Sequence, residues 1–341
     1  MLRLQFNMKG RSATIELQRI AVLLGPNGSG KSTISDALCL ALVGESYDLY
    51  WREKVKAGRL LKYIGRDDVC FSKVTDTFSG EEWEWRIDQK RRSPRDYVER
   101  IRPWRKALAG SPGTLYGYLG DVLECDSLME YTTVKEQLYL STKANKETAA
   151  YVKSCKRFVE SLTSKGDSTS RLNQIETTYA LSSKQIKQFK DLLSEKLDKL
   201  KGEVNESMPL LVGAANNFMP DRDKIRWDAE DGVFFLQKNG VDCYALSKSE
   251  ETRVVGSLAL GCQDTMDSIL VLEDRGWDGK NLRETLKLWS ESCAARIIIQ
   301  STVKPAARPY KNVTYARTDV LFADLTLTGK NRHDQNDESR K

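Results

Sequence analysis

The chain of 341 residues carries a single histidine, His333, and no CxxC pair among its seven cysteines. Those cysteines (Cys39, Cys70, Cys125, Cys155, Cys243, Cys262 and Cys293) are scattered and mostly flanked by apolar residues. A structural zinc site needs clustered thiolates or imidazoles, so none is expected. Small buried thiols suit a reducing compartment, and a cytoplasmic location is the expectation. No run approaches the ~18 apolar residues of a membrane span, so no membrane partner is expected. The start, "MLRLQFNMK", alternates Leu2, Leu4, Phe6 and Met8 in the period of a half-buried strand. It lacks the continuous apolar block of a signal peptide. Internal repeats are also missing.

With 40% hydrophobic and 30% charged residues, the composition is that of an ordinary globular chain. The length allows one large core with an appendage, or two domains. The net charge of +6 is unevenly placed. Residues 86–106, "RIDQKRRSPRDYVERIRPWRK", hold nine Lys/Arg against three Asp/Glu, with Trp85, Tyr97 and Trp104 interleaved. Two readings stand side by side. The segment is either a nucleic-acid surface, with cations for phosphates and aromatics for stacking, or a solvated face whose tryptophans point into the core.

Strand patterns cover 1–9, 12–18 and 19–25, and a helix over Lys31–Val43 is stopped by Gly44. A hairpin joins "DVCFSKVTDTF" to "EWEWRID" through Ser79–Gly80, and the Gly-, Pro- and Tyr-rich stretch 108–120 reads as loop. Helical periodicity begins near 134 and breaks at "SKGDSTS" (164–170), and the first helix is expected to have about 20 residues, or ~30 Å. A second helix places Leu172, Tyr179, Ile186, Leu193 and Leu200 at seven-residue intervals, with Ile175 and Phe189 on a partial second seam. Together they predict an antiparallel helical hairpin, set against the plainer reading of a helical subdomain packed on the core. Strands return after Pro209 as a meander with turns at Asp231–Gly232 and Asn239–Gly240. A helix from Ser249 follows, then "SILVLED", another helix and "ARIIIQST". These two apolar runs read as parallel strands buried on both faces. The resulting division is 1–133 and 208–328 for the halves of one head, 134–207 for the helical insertion, and 329–341 for a polar, disordered tail.

Gly25-Pro-Asn-Gly-Ser-Gly-Lys31-Ser32 satisfies GxxxxGK[ST] after a strand and before a helix, the context its mechanism requires. Backbone N–H groups of Asn27, Gly28, Ser29, Gly30 and Thr33 would face the phosphates of ATP. Lys31 would reach the β/γ-phosphates and the Ser32 hydroxyl would bind Mg²⁺. The strand "ILVLEDRG" ends in two carboxylates, with Glu273 on the metal side and Asp274 on the water side. The plainer reading is two acids at a strand end.

"ALSKSEETRVVGSLALG" (245–261) opens a helix about 25 residues before that strand. It resembles the signature motif of ABC ATPases in the form found in SMC, RecF and SbcC-type heads. "FNMKGRSATIEL" resembles the first two strands of those heads, which carry a Lys/Arg–Ser pair between them. The resemblance covers roughly 1–45 and 208–305. It implies an α/β P-loop fold of ABC-ATPase type, with a mixed sheet and flanking helices, an antiparallel β subdomain and an inserted antiparallel helical hairpin. It also implies an ATP-dependent homodimer in which Ser247, Ser249 and Glu250 of one head meet the nucleotide of the other. Departures accompany it. The acidic pair is Glu–Asp instead of Asp–Glu, and Gln300, Ser301 or Thr302 stands where a switch histidine is usual. Asp278 lies near the place of a distal aspartate, and Glu124 is a weak stand-in for the Q-loop glutamine.

The expectation is a slow ATPase acting on DNA in repair, recombination or replication through 86–106, with a nuclease or other protein as a possible partner. A regulatory or defence-type ABC ATPase that senses a protein or nucleic acid is the alternative, and a transporter subunit fits less well.

Overall fold

The computed structural model describes residues 1–8, 10–44, 47–48, 53–54, 70–86, 108, 110–161, 166–263, 269–272, 277–305, 310 and 312–322. Glu273, Asp274, the basic segment beyond Arg86, His333 and the 329–341 tail lie outside them. The chain divides into two compact units, Met1–Ala109 with Pro209–Lys341, and Gly110–Met208.

The first unit is layered. β1 (Leu2–Met8), β2 (Arg11–Leu17), β6 (Phe71–Asp76) and β7 (Glu82–Arg86) form an antiparallel sheet in the order β2-β1-β6-β7. A second sheet is wholly parallel, in the order β11-β12-β3-β13. It comprises β3 (Ile20–Leu24), β11 (Ile269–Leu272), β12 (Arg296–Ser301) and β13 (Val313–Arg317). Short β4 (Tyr47–Asp48) and β5 (Glu53–Lys54) pair with each other. Helix α1 (Lys31–Val43) fills the space between the two larger sheets, where Leu4, Phe6, Leu23, Leu38, Val74 and Val271 share one core.

Alternation along β3 shows how one strand serves two layers. Ala21 and Leu23 belong to the α1 core, while Ile20, Val22 and Leu24 join a second core on the opposite face. That second core is closed by Leu282, Leu286 and Trp289 of α6 (Gly279–Ser292). A strand buried on both faces needs a continuous apolar run, as "IAVLL" is. Trp289 is fully buried, donates Nε1–H to Phe218 O at 3.0 Å, and lies against Gly256 of α5 (Lys248–Gln263). A Cβ at Gly256 would stand 2.5 Å from the Trp289 ring, so only glycine permits this approach. Trp83 and Trp85 both point into the α1 core. Trp85 is therefore a packing residue and offers no stacking surface to a base.

The meander forms as the turn residues predict, with β8 (Asp223–Asp228), β9 (Val233–Lys238) and β10 (Val241–Cys243). Its turns place Gly232, Asn239 and Gly240 at positive φ.

The second unit contains α2 (Pro112–Val122), α3 (Leu128–Ser161) and most of α4 (Gly166–Asn216). Four expectations change here. Residues 112–122 are helix instead of loop, with Pro112 at the first helical position. The α3 helix starts at Leu128 and has 34 residues, so it spans ~51 Å where ~30 Å was expected. Of "SKGDSTS", residues 166–170 lie inside α4, and the described helices approach to within 162–165. Finally, α4 runs through Pro209 to Asn216 before strands return. The heptad positions Leu172, Tyr179, Ile186 and Leu193 are half-buried and Leu200 fully buried. Ion pairs between Lys156 and Glu176 (2.5 Å) and between Glu130 and Lys196 (3.1 Å) set α3 and α4 antiparallel. Among the described residues no helix is long and apolar enough to cross a membrane.

Candidate functional site

The loop 25–30 leaves the carboxyl end of β3, a central strand of the parallel sheet, and opens α1. Ligands of such sheets bind at this edge, where loops and helix N-termini converge. Gly28 and Gly30 both adopt positive φ, at 79° and 103°, a region that L side chains avoid. At Gly25 a Cβ would sit 2.5 Å from Ser29 Oγ, so the chain has no room for a side chain there. Helix α1 begins without a side-chain cap or an acidic residue in its first turn. Its first N–H groups therefore add an uncompensated partial positive charge. Lys31 is buried and arches over the loop, donating Nζ to Gly25 O at 2.5 Å and Pro26 O at 3.2 Å. Ser32 is exposed beside it, Thr33 is buried, and Asn27 is exposed. A buried ammonium, an uncapped helix start and a glycine-lined loop fit a polyphosphate.

Three residues from the two ends of the chain hold this loop. Thr318, first residue of the short α7 (Thr318–Leu321), is fully buried and donates Oγ1 to Leu24 O at 3.0 Å. The same hydroxyl lies 2.5 Å from Ser29 Oγ. Arg11, opening β2, donates Nη2 to Gly28 O at 2.6 Å and stacks its guanidinium 5.0 Å from the Phe322 ring centroid. A Cβ at Gly30 would come within 2.7 Å of Phe322 Cε2. Arg11 of the Arg–Ser pair thus reaches the loop. Thr318 and Phe322 went unread in the sequence, because β13 and α7 carry no motif.

The β11 strand ends at Leu272, paired with Ile299 of β12, which is paired in turn with Val22 of β3. Residues 273 and 274 thus follow a strand that ends at the same edge as the loop, two strands across. Of the three replacements for the switch histidine, buried Gln300 donates Nε2 to Ser35 Oγ of α1 at 3.1 Å. Ser301 Oγ is engaged by Val303, while its carbonyl accepts from Gly25 N at 3.2 Å. Thr302 is exposed. Glu124 adopts φ 56° just past α2, where Cys125 N–H bonds Gly120 O at 2.9 Å. It is the left-handed stop of a helix in the second unit.

The signature stretch opens α5 with a capping box. Glu250 Oε2 accepts from Ser247 N at 2.8 Å and Ser247 Oγ accepts from Glu250 N at 3.3 Å. The Ser-x-x-Glu spacing carried this signal, which the family reading passed over. Glu250 also pairs with Lys238 of β9. Burial pushes its carboxyl up, but Lys238 and the Ser247 N–H and hydroxyl outweigh that and hold it below the usual 4.5. Ser247 is exposed, whereas Ser249 is buried with its Oγ accepting from Asn281 Nδ2 at 3.2 Å. Asn281 Nδ2 also donates to Asp278 Oδ2 at 2.5 Å, and Asp278 caps α6 through the Lys280 and Asn281 N–H groups. Asp278, Asn281 and Ser249 therefore join the starts of α6 and α5.

Residues 4–212 match the AAA domain family AAA_23. No curated protein matches the chain. Among solved structures, the Smc head domain with an extended coiled coil from Pyrococcus furiosus, bound to the C-terminal domain of ScpA, aligns at 15% identity. The alignment covers 88% of this chain and 90% of that one, with a TM-score of 0.38. The Smc head domain with a coiled coil and joint from Pyrococcus yayanosii gives the same identity and TM-score, with 91% of its chain covered. With a P-loop on a central parallel strand and a flanking antiparallel sheet, the chain has a P-loop α/β fold and belongs to the AAA domain family AAA_23.

Proposed function

We propose that this head binds and hydrolyses ATP, dimerises on it, and acts on DNA in repair, recombination or replication. The observation that carries the reading is the Gly25–Thr33 loop with buried Lys31, at the same sheet edge as the end of β11. When bound, Mg·ATP supplies the phosphoanhydride bond whose cleavage drives the cycle. The backbone of 27–33 and Lys31 hold the phosphates, while the Ser32 hydroxyl and Glu273 hold the metal. Asp274 takes up and orients a water proton. It is one methylene shorter than a glutamate, so turnover is slow. Ser247, exposed at the start of α5, reaches the partner head's nucleotide, and Asn281 holds Ser249 behind it. Glu250 acts there by fixing Ser247 in place. Affinity that requires the terminal phosphate separates the two states, so hydrolysis releases the heads.

The test is Mg·ATP turnover of the full chain with and without duplex DNA, alongside its mass in solution. Lys31→Ala should lose nucleotide binding, and Asp274→Asn should dimerise on ATP without turnover. Turnover unchanged by DNA, in a chain that still dimerises on ATP, would remove the DNA role and favour a head that senses a protein.

A further inference from the structure

The helical hairpin carries a charge pattern that the nucleotide site does not use. Residues 137–146 of α3 and 177–190 of α4 contain five lysines (Lys143, Lys146, Lys184, Lys187 and Lys190) and no Asp or Glu. Elsewhere on the hairpin, lysines meet carboxylates: Lys156 with Glu176, Lys196 and Lys199 with Glu130, and Lys201 with Asp198. The ion pairs Lys156–Glu176 and Glu130–Lys196 fix the antiparallel register and flank both acid-free stretches, which therefore overlap at one level of the hairpin. All five lysines are exposed, and among the described residues none has a carboxylate within ion-pair distance.

Helical spacing gathers most of this charge on one flank. Tyr139, Lys146 and Lys153 repeat at seven-residue intervals and so line up along α3 at ~10.5 Å steps. In an antiparallel pair, equivalent heptad positions lie on the same side, which brings Lys187 and Lys190 of α4 beside that line. A face that merely keeps a hairpin in solution mixes both signs. Here two helices, separate in sequence, lose their acids at the same level. The cations are all lysines, point charges that neutralise phosphates without imposing a bidentate geometry, as a contact that does not read sequence requires. The exposed aromatic on this flank is Tyr139, so the desolvated apolar centre of a protein interface is missing.

We propose that this flank of the hairpin, centred on Lys146, Lys187 and Lys190, binds the phosphate backbone of duplex nucleic acid without reading sequence. The inference rests on the DNA-acting reading above, but moves a contact onto the helical insertion and away from segment 86–106.

The test measures fluorescence anisotropy of a labelled ~30-base-pair DNA duplex with the full chain, between 50 and 200 mM KCl. It compares wild type, the triple variant Lys146→Gln/Lys187→Gln/Lys190→Gln, and the same three positions changed to Arg. Each neutralised phosphate contact contributes about 0.9 to the slope of log affinity against log salt. The Gln triple should lower that slope by about 2 to 3 and weaken binding about tenfold or more at moderate salt. The Arg triple should bind as wild type does, and both should keep wild-type basal turnover and helix content. If the Gln triple binds duplex as wild type does, the hairpin surface is refuted while the DNA reading stands on another segment. Wild type that ignores duplex refutes both. Preference for polyglutamate over duplex would make the target an acidic polypeptide and overturn the proposal.

Discussion

Removing the carboxylate of Asp223 tests whether helix α5 is held by a buried charge. Arg253, on α5, is almost fully buried, and its Nη2 lies 2.7 Å from Asp223 Oδ2 at the start of β8. Side-chain exposure is 4% for Arg253 and 6% for Asp223, so neither charge has water to fall back on. The remaining partner, Glu284 Oε2, is 3.5 Å from Arg253 Nη1 and already accepts from Arg222 at 2.8 Å. Arg253 Nε has no hydrogen-bond partner, so the guanidinium has no spare satisfaction. Breaking a buried pair by removing one member costs about 3–5 kcal/mol, because a buried charge is left behind. Asp223→Ala should therefore destabilise the first unit by about that amount. With a urea slope of about 2 kcal/mol/M, its transition should move down by about 1.5–2.5 M. The assay is urea unfolding followed by tryptophan fluorescence, with Trp289 buried in the adjoining core. The double variant Asp223→Leu/Arg253→Met removes both charges and should recover to within about 1–2 kcal/mol of wild type. A single variant that loses less than about 1 kcal/mol would refute the reasoning, as would a double variant less stable than the single one.

Two further predictions concern the glycine-rich loop and the start of α5. Thr318→Val deletes the hydroxyl that joins Leu24 O to Ser29 Oγ, and one such bond is worth about 0.5–1.5 kcal/mol. Fluorescent-ATP titration should show affinity weakened about two- to tenfold, with Thr318→Ser restoring it; equal affinity in all three would detach Thr318 from the loop. Glu250, whose carboxyl is held below 4.5 in the folded chain, stabilises the capping box at pH above that value and ceases to as pH falls through the lowered one. Hydrogen-exchange protection at the start of α5, taken relative to the intrinsic amide rate at each pH, should therefore fall on acidification below about pH 4.5 in wild type. The pH dependence should be flatter in Glu250→Gln, and identical profiles would remove Glu250 from the cap.

What was legible in the sequence was local. The phosphate loop is a contiguous pattern in which each residue type has a steric or charge requirement, so it needs no tertiary knowledge. Alternation in "LRLQFNM", continuous burial in "IAVLL" and the heptads of α4 likewise report which faces are covered. The glycine-rich stretch 112–122 misled for a physical reason. Glycine is a poor helix former, and propensity alone argues for a loop. A Cβ at Gly113 would stand 2.7 Å from Tyr131 Oη, and one at Gly120 would stand 2.8 Å from Leu200 Cδ1. These glycines are there so that α2 can approach its neighbours, a demand written in α3 and α4. Pro209 misled in the same way, since packing at the end of α4 outweighs one missing N–H, with Gly261 of α5 leaving no space for a Cβ beside Ala215.

By itself, then, the sequence determined the phosphate loop, the strand and helix faces, and the hairpin, because these follow from short-range periodicity and from residue types with few conformational options. Only the tertiary structure decided what holds the loop. Ser29 and Thr318 are 289 positions apart and meet because β13 pairs parallel with β3, Val313 opposite Ile20. No local pattern encodes a pairing at that separation; it is selected by the shared burial of two strands in one sheet.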